Sequence, residues 1–181
     1  MKVFIAGPRA ISELCPAVEE RLNKIYANNI TVLVGDADGV DKAVQYYFNS
    51  LGYRNVIVFA SGRRVRNNVG NWEIRKIDVP ANIRGFDFYT KKDEAMASDA
   101  EYGFMIWNGE SKGTLNNIIN MLAFDKKTLV YLTKTDSMYS IDSMEKLQEL
   151  LDICGQNAQN LFNRLSGVAS TSSFQQLTIF D

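Results

Sequence analysis

The sequence contains no histidine, two cysteines and three prolines among its 181 residues. Without histidine, a Ser-His-Asp or Cys-His nucleophile is excluded, and so are most zinc sites. Acid–base chemistry would have to use Asp, Glu, Lys, Tyr or Cys. Cys15 and Cys154 lack metal-type spacing, and nothing else in the sequence requires a metal or a cofactor. So few cysteines favour a reduced, cytoplasmic protein.

Long hydrophobic runs are also missing, and no apolar run reaches the length that spans a membrane. We therefore expect no membrane partner. The opening MKVFIAGPR is too short an apolar run before Gly-Pro for a signal peptide, and it predicts a first strand instead. A chain of this length suits one domain with a sizeable core.

The net charge of −1 conceals an uneven distribution along the chain. Residues 61–92 carry eight basic and three acidic side chains, a net of +5, so the rest of the chain carries −6. A basic middle in an acidic protein suits a small anionic ligand. General nucleic-acid binders are usually basic overall, so we do not expect a nucleic acid partner.

Five apolar runs of strand length alternate with segments of helical periodicity, at residues 2–6, 31–34, 55–60, 102–107 and 128–132. This alternation predicts an α/β, Rossmann-like, three-layer domain over residues 1–155, with a mainly parallel five-stranded sheet. Residues 156–181 are rich in Asn, Gln and Ser and predict a polar C-terminal extension. Within it, residues 156–165 favour a helix, and residues 174–180 favour an edge strand or a partner-binding tail.

The organising stretch is residues 98–120, where the strand YGFMIW runs into the turn NGESKG and a helix predicted from Thr114. A strand, glycine turn and helix in this order direct free backbone N–H groups at an anion. An alternative is a tight connection in which Thr114 only caps the helix. The Walker GxxxxGK[ST] spacing is absent. The candidate phosphate-binding residues are Gly109, Ser111, Lys112, Gly113 and Thr114.

A second strand–glycine–helix junction covers residues 35–42. Its Asp36 or Asp41 would bind ribose hydroxyls or support the loop, whereas Asp38 could simply cap the next helix. The EF-hand pattern is not met, because Asp41 and Tyr47 occupy the positions where it needs Gly and Glu. The candidate ligand-binding residues here are Gly35, Asp36, Asp38, Gly39 and Asp41.

Residues 61–89 lack clear periodicity and predict a long loop, which is usually functional or mobile. Its arginines would reach phosphates and Trp72 would stack on a base; alternatively the loop is solvated and Trp72 packs on the core. The turns at 7–9, 35–42, 61–66 and 108–114 all follow predicted strands, so they should gather at one edge of the sheet. This convergence predicts a nucleotide-type site.

These motifs resemble the SLOG superfamily of Rossmann-like nucleotide-binding domains, which includes the Lonely Guy phosphoribohydrolases, the DprA-type domains and the YpsA-like proteins. The YpsA-like branch is most similar over residues 1–133. Its pattern matches Gly7-Pro8-Arg9, the Gly35/Ala37/Gly39/Asp41 series, the Arg66-Asn67 pair and the late glycine turn. The resemblance implies binding of a nucleotide or a nucleotide derivative, with Gly7, Arg9, Arg66 and Asn67 as further ligand-binding residues.

The opening FIAGP and the Asp99…Gly113-Thr114 pattern are also similar to nucleoside 2-deoxyribosyltransferases. This similarity and the Lonely Guy likeness imply cleavage of N-glycosidic bonds. Those enzymes carry a glutamate shortly after Gly-Thr, where this chain has Asn116-Asn117. An amide is neither nucleophile nor base, although Asn117 can hydrogen-bond a ribose. Substitute acids would be Asp99, Glu101 or Glu110.

Three functions therefore remain open. The first is binding or sensing of a nucleotide-like small molecule, which the sequence favours. The second is an N-glycosidic hydrolase or transferase acting on nucleosides or their monophosphates. The third is an interaction or scaffold protein that forms a homo-oligomer through residues 156–181.

Overall fold

The computed structural model describes the backbone of residues 1–177 and the side chains of residues 1–167. In this described part of the chain, seven strands form one sheet and six helices accompany it. The strands are β1 (Lys2–Ala6), β2 (Thr31–Gly35), β3 (Val56–Ser61), β4 (Glu73–Ile77), β5 (Tyr102–Trp107), β6 (Thr128–Leu132) and β7 (Ser137–Ile141). The helices are α1 (Pro16–Ala27), α2 (Val40–Ser50), α3 (Gly85–Asp99), α4 (Lys112–Ala123), α5 (Met144–Cys154) and α6 (Gln156–Leu177).

The strand order is β4-β3-β2-β1-β5-β6-β7, and every neighbouring pair is parallel except β6 and β7. The chain builds outward from β1 to β4 and then returns to place β5 on the other side of β1. Connections therefore diverge at the carboxyl ends of β1 and β5, which makes this the topological switch point. A crevice is expected at that position in a sheet of this kind.

The sheet is buried on both faces because its central strands are apolar at nearly every position. On β1, Phe4 faces the core formed with α3, α4, α5 and α6, whereas Val3 and Ile5 face the core formed with α1 and α2. Alternate side chains of a strand point to opposite faces, so an unbroken apolar run suits a strand covered twice. The predicted α/β, Rossmann-like, three-layer architecture is confirmed.

The predicted count of five strands is wrong, because β4 and β7 extend the two edges of the sheet. β4 (EIRKI) lies inside the segment predicted as a long loop, and β7 pairs antiparallel with β6. β4 exposes Glu73, Ile74 and Lys76, whereas β7 (SMYSI) is mostly half-buried and has two serines among its apolar residues. Such strands lack the apolar run that made the five inner strands recognisable.

Two helix starts also differ from the prediction. α3 begins at Gly85, inside the segment of residues 61–89 that was predicted as a long loop. α4 begins at Lys112, and its N-cap is Ser111, whose side chain accepts a hydrogen bond from the Thr114 N–H. Thr114 therefore lies inside the helix and does not cap it. Likewise α2 has Gly39 rather than Asp38 at its N-cap.

The predicted extension begins with α6, whose Ala158 and Leu161 are buried in the same core as α4 and α5. The edge strand predicted at 174–180 starts within the bounds of α6 and ends beyond the described residues. The division of the chain at residue 155 and the proposed homo-oligomer stay predictions. Within residues 1–177, no helix combines the length and the apolar character needed to cross a membrane.

A close backbone crossing fixes the start of α2 against the loop that follows β1. The Val40 N–H donates to the Pro8 carbonyl oxygen at 3.2 Å. Gly39 has φ +79° and ψ −131°, a conformation open almost only to glycine. A Cβ there would lie 2.5 Å from the carbonyl oxygens of Pro8 and Arg9.

Replacing Gly39 by Ala should therefore destabilise the protein by about 2–4 kcal/mol, the sum of backbone strain and overpacking. The matched control is Gly52→Ala, because Gly52 also has positive φ but a Cβ there would meet nothing within 4 Å. That change should cost only the strain, about 1 kcal/mol. Urea denaturation measures the free energy of unfolding of both variants. Equal losses of stability would contradict the steric role assigned to Gly39 at the backbone crossing.

Candidate functional site

A cleft of about 580 Å³ opens at the carboxyl ends of β1 and β5, where the topology switches. We call it the switch-point cleft. Its volume lies in the range of small-molecule sites, and it collects turns that are far apart in the sequence. Ten of the predicted residues line it: Gly7, Arg9, Asp41, Arg66, Glu110, Ser111, Lys112, Gly113, Thr114 and Asn117.

The first turn of α4 forms one wall of this cleft. Asn108 Oδ1 accepts hydrogen bonds from the N–H groups of Glu110 and Ser111, which fixes the approach to the helix. The N–H groups of Lys112 and Gly113, at the first two helical positions, have no intrahelical partner. A helix N-terminus in this state favours an anion through its N–H groups and its dipole.

Asn117 lies one turn further along α4 and also lines the cleft. The residue is 4% exposed, and among the described residues its Oδ1 has no hydrogen-bond partner. A buried carbonyl oxygen without a partner costs about 1–3 kcal/mol. Such an atom beside a cleft is a ready acceptor for a donor group of a ligand.

The opposite wall comes from α3. Lys112 Nζ lies 3.8 Å from the centre of the Phe86 ring, across the mouth of the cleft. The guanidinium groups of Arg9 and Arg66 lie 5.1 and 4.7 Å from the centre of the Tyr89 ring. Both aromatic rings are thus in contact with cations, and both line the cleft.

Arg66 is held in place by Asp36 at the end of β2. Its Nε and Nη2 donate to the two carboxylate oxygens at 3.1 and 2.5 Å, and its backbone N–H donates to Oδ2 at 3.1 Å. Burial alone would raise the pKa of Asp36, but these hydrogen bonds outweigh burial and hold the pKa below its ordinary value. Asn67 Nδ2 adds a bond to the Asp36 carbonyl oxygen at 2.8 Å. Asp36 and Asn67 therefore support the loop instead of lining the cleft.

A buried cation, Lys92, forms the floor between α3 and the turn after β2. Lys92 Nζ lies 2.6 Å from an Asp93 oxygen and 3.9 Å from an Asp41 oxygen. Burial would lower the pKa of Lys92, but the two carboxylates outweigh burial and raise it. Burial raises the pKa of the more distant Asp41 to about 6, against the lowering effect of Lys92.

The glycines near the cleft serve packing as well as access. A Cβ on Gly35 would overlap the Asp41 carboxylate and lie 2.6 Å from Lys92 Nζ, so this glycine makes room for the buried charges. A Cβ on Gly7 would lie 2.8 Å from the Ile106 carbonyl oxygen. Gly109 has φ +77° and turns the chain after β5. Among the predicted glycines, Gly113 differs, because a Cβ there would meet no atom within 4 Å.

Two of the three predicted catalytic acids are not in the cleft. Asp99 pairs with Lys2 and Arg75, and Glu101 accepts from the Lys2 N–H, so both lie at the amino end of β1, the opposite edge of the sheet. Both acids are close to the glycine turn in sequence, but β5 lies between them and the turn and separates them by its whole length. Glu110 lines the cleft, but its side chain is 65% exposed and lies 3.6 Å from Lys134.

Trp72 is also not a ligand contact. It is buried in the core beside α2, and its Nε1–H donates to the Tyr53 carbonyl oxygen at 2.8 Å. Gly70 leaves the space that the indole ring occupies. Of the two interpretations of Trp72 drawn from the sequence, packing on the core is confirmed.

The sequence analysis missed the contribution of α3, whose Phe86, Tyr89, Thr90, Lys92 and Asp93 line the cleft. Its first turn lies in the long loop that the sequence predicted over residues 61–89. The signal available was Arg84-Gly85 followed by aromatic residues at 86, 88 and 89, but glycine before a helix is ambiguous. The burial of Lys92 depends on tertiary partners and has no sequence signal.

A second cavity of about 510 Å³ adjoins the switch-point cleft, and we call it the side cavity. Arg66 and Tyr89 line both spaces and separate them. The remaining wall includes Asp36, Ser61, Arg63 and Arg64.

The raised pKa of Asp41 predicts a pH-dependent stability. Between the ordinary value of 3.8 and about 6, the folded protein keeps a proton that the unfolded chain has lost, so stability falls as pH rises through this window. Asp41→Asn removes this titration. The free energy of unfolding of the wild type, relative to Asp41→Asn, should fall between about pH 4 and pH 7. Urea denaturation across this range measures it.

The control is Asp38→Asn, the same change in the same turn at a side chain that is 73% exposed. This variant should follow the wild-type pH curve. Parallel curves for wild type and Asp41→Asn would contradict the assignment of the titration to Asp41.

The chain matches no protein-family model and no curated protein. It is similar in structure to a solved DNA processing protein A from Helicobacter pylori, which is described by its single-stranded DNA binding mode. The two share 13% sequence identity with a TM-score of 0.57, and the match covers 94% of this chain and 81% of the other. At this identity the likeness shows the fold.

The expectation of no nucleic acid partner is therefore wrong, because DNA processing protein A, which is similar in fold, is described as binding single-stranded DNA. The physical error was to use overall charge. Arg9, Arg66 and Lys112 stand at the switch-point cleft and Arg63 and Arg64 at the side cavity, so positive charge is concentrated locally while the net charge stays at −1.

Proposed function

We propose that the protein binds a nucleotide or a nucleotide-derived molecule in the switch-point cleft, as a sensor or binding protein, and that it is a SLOG-type domain of the YpsA-like kind. The fold, the position of the cleft and the residues lining it support this proposal. The Gly7-Pro8-Arg9 turn and the glycine turn before α4 both border the cleft, as the resemblance implies.

One observation carries the proposal most directly. Asn117 places beside the cleft a buried Oδ1 that has no hydrogen-bond partner among the described residues, one helical turn from the N–H groups of Lys112 and Gly113. A site whose N–H groups can bind an anion and a separate hydrogen-bond acceptor thus lie on the same helix. A nucleotide offers the matching pair, namely a phosphate and a ribose hydroxyl or base N–H.

Different groups around the cleft would bind different parts of the nucleotide. The phosphate would sit at the first turn of α4, where Lys112 can leave the Phe86 ring and add its charge. Once Lys112 leaves it, the Phe86 ring offers a face on which a base can stack, whereas Tyr89 lines the cleft with its ring already in contact with Arg9 and Arg66. Asn117 Oδ1 would accept from the ribose or the base.

We propose binding and not cleavage of an N-glycosidic bond. Cleavage requires an acid and a nucleophile or base at the anomeric carbon, which two carboxyl groups usually supply. Of the carboxylates that the sequence analysis considered for this role, Asp99 and Glu101 stand at the other edge of the sheet and Glu110 is mostly exposed. By the resemblance, Asn116-Asn117 stand where the related enzymes carry a glutamate.

The test is thermal unfolding of the purified full-length chain with mononucleotides, nucleosides, ADP-ribose and NAD. A ligand at about a hundredfold its dissociation constant adds roughly 2.7 kcal/mol. At about 2–4 °C per kcal/mol for this size, a true ligand should raise Tm by about 5–10 °C. No shift with any compound would reject the proposal.

Asn117→Ala tests the role of the Asn117 amide in binding. Loss of the hydrogen bond should weaken nucleotide binding by about fivefold, while stability should not fall much, because an unpartnered buried group is removed and Ala favours a helix. Asn116→Ala is the control, since Asn116 does not line the cleft. Calorimetric titration measures both, and equal affinities for the two variants would contradict the role of Asn117.

Gly113→Ala tests the phosphate position. A Cβ there meets no protein atom, and Ala is favoured over Gly in a helix by about 1 kcal/mol, so the variant should be at least as stable as the wild type. The methyl group should nevertheless intrude on a bound phosphate and weaken nucleotide affinity by about tenfold or more. Unchanged affinity would place the phosphate elsewhere.

A further inference from the structure

The side cavity has an excess of positive charge. Arg63, Arg64 and Arg66 line it, and Asp36 is its carboxylate among the described residues. Asp36 is already engaged by Arg66 through three hydrogen bonds. Within the described part of the chain, neither Arg63 nor Arg64 forms an ion pair, so two guanidinium groups remain for an external anion.

This cavity is built into the fold. Gly62, at φ +72°, turns the chain directly after β3, and its N–H donates to the Ile77 carbonyl oxygen of β4 at 2.8 Å. Phe88 closes the space beneath it, because a Cβ on Gly62 would lie 2.9 Å from the Phe88 ring. Ser61 Oγ accepts from the Lys92 N–H at 3.3 Å and ties this segment to α3.

The two spaces share a wall made of the Tyr89 ring and the Arg66 side chain. Adjacent phosphates of a pyrophosphate share a bridging oxygen, so they would have to occupy one space together. Phosphates on either side of a nucleoside are far enough apart to occupy both, with the sugar or base against Tyr89. Guanidinium groups suit such phosphates because they donate in bidentate pairs.

We propose that the side cavity is a second phosphate subsite, and that the ligand is a nucleotide with phosphate groups on both sides of a nucleoside. A nucleoside 3′,5′-bisphosphate is the smallest ligand of this class, and a 5′-phosphorylated dinucleotide carries the same two phosphates around its first nucleoside. This inference rests on the proposed function, because it assigns the first phosphate to α4. The same chemistry is present in a free dinucleotide and in the 5′ end of a single strand of nucleic acid.

The experiment compares three probes by calorimetric titration of the full-length chain: 5′-mononucleotides, nucleoside 5′-diphosphates and 5′-phosphorylated dinucleotides. The wild type should bind dinucleotides about tenfold or more tightly than mononucleotides, the size of one charge-assisted contact. The double variant Arg63→Ala/Arg64→Ala should lose this advantage. Its affinity for mononucleotides and diphosphates should stay close to that of the wild type.

The matched control is Arg54→Ala/Lys76→Ala, which removes the same charge from exposed positions outside both cavities. It should keep the dinucleotide preference, which separates a local contact from a general electrostatic effect. A further arm titrates a 5′-phosphorylated single-stranded oligonucleotide. Tighter binding than the dinucleotide, lost in Arg63→Ala/Arg64→Ala, identifies a strand as the source; equal binding identifies the free dinucleotide.

The outcomes distinguish the two proposals. Mononucleotide binding without a dinucleotide preference, or a preference that survives Arg63→Ala/Arg64→Ala, would overturn the second subsite and leave the proposed function standing. No binding of any nucleotide by the wild type would overturn both.

Discussion

The architecture of the site depends on the ion pairs that the ammonium group of Lys92 forms with Asp93 and Asp41. This ammonium group is buried where α3 meets the turn after β2, so its charge must be compensated inside the protein. Asp93 comes from the same helix and Asp41 from α2, and Gly35 leaves the space in which they meet. This group of charges fixes α3 as a wall of the cleft and brings Phe86 and Tyr89 opposite α4.

The fold could be predicted where burial dictates sequence. The five inner strands are apolar because helices cover both of their faces, and each of them was recognisable from that run alone. β4 and β7 are edge strands in which charged residues or serines interrupt the apolar pattern, so it is pairing with β3 and β6 that makes them strands. Pairing partners are set by the tertiary structure, and a local pattern does not contain them.

The same distinction applies to the site. The turns after β1 and β5 were predicted because glycines and strand ends are local signals, and parallel strands bring their carboxyl ends together. The role of α3 was missed because the sequence alone does not distinguish a buried lysine, such as Lys92, from an exposed one. Asp99 and Glu101 were misplaced for the opposite reason: they are close to the glycine turn in sequence, but a strand carries the chain from one edge of the sheet to the other.

The position of Asn117 connects the fold to its chemistry. A carboxylate at position 117 would be a buried charge close to the N–H groups at the start of α4. It would compete with a bound anion for those N–H groups. An amide adds no charge and leaves the helix N-terminus available. Among the described residues its oxygen has no hydrogen-bond partner, which costs stability, and under the proposed function a donor group of the nucleotide would recover that cost. Under the proposed function, the N–H groups at the start of α4 would hold the phosphate and the neutral amide would accept a hydrogen bond from the ribose or the base.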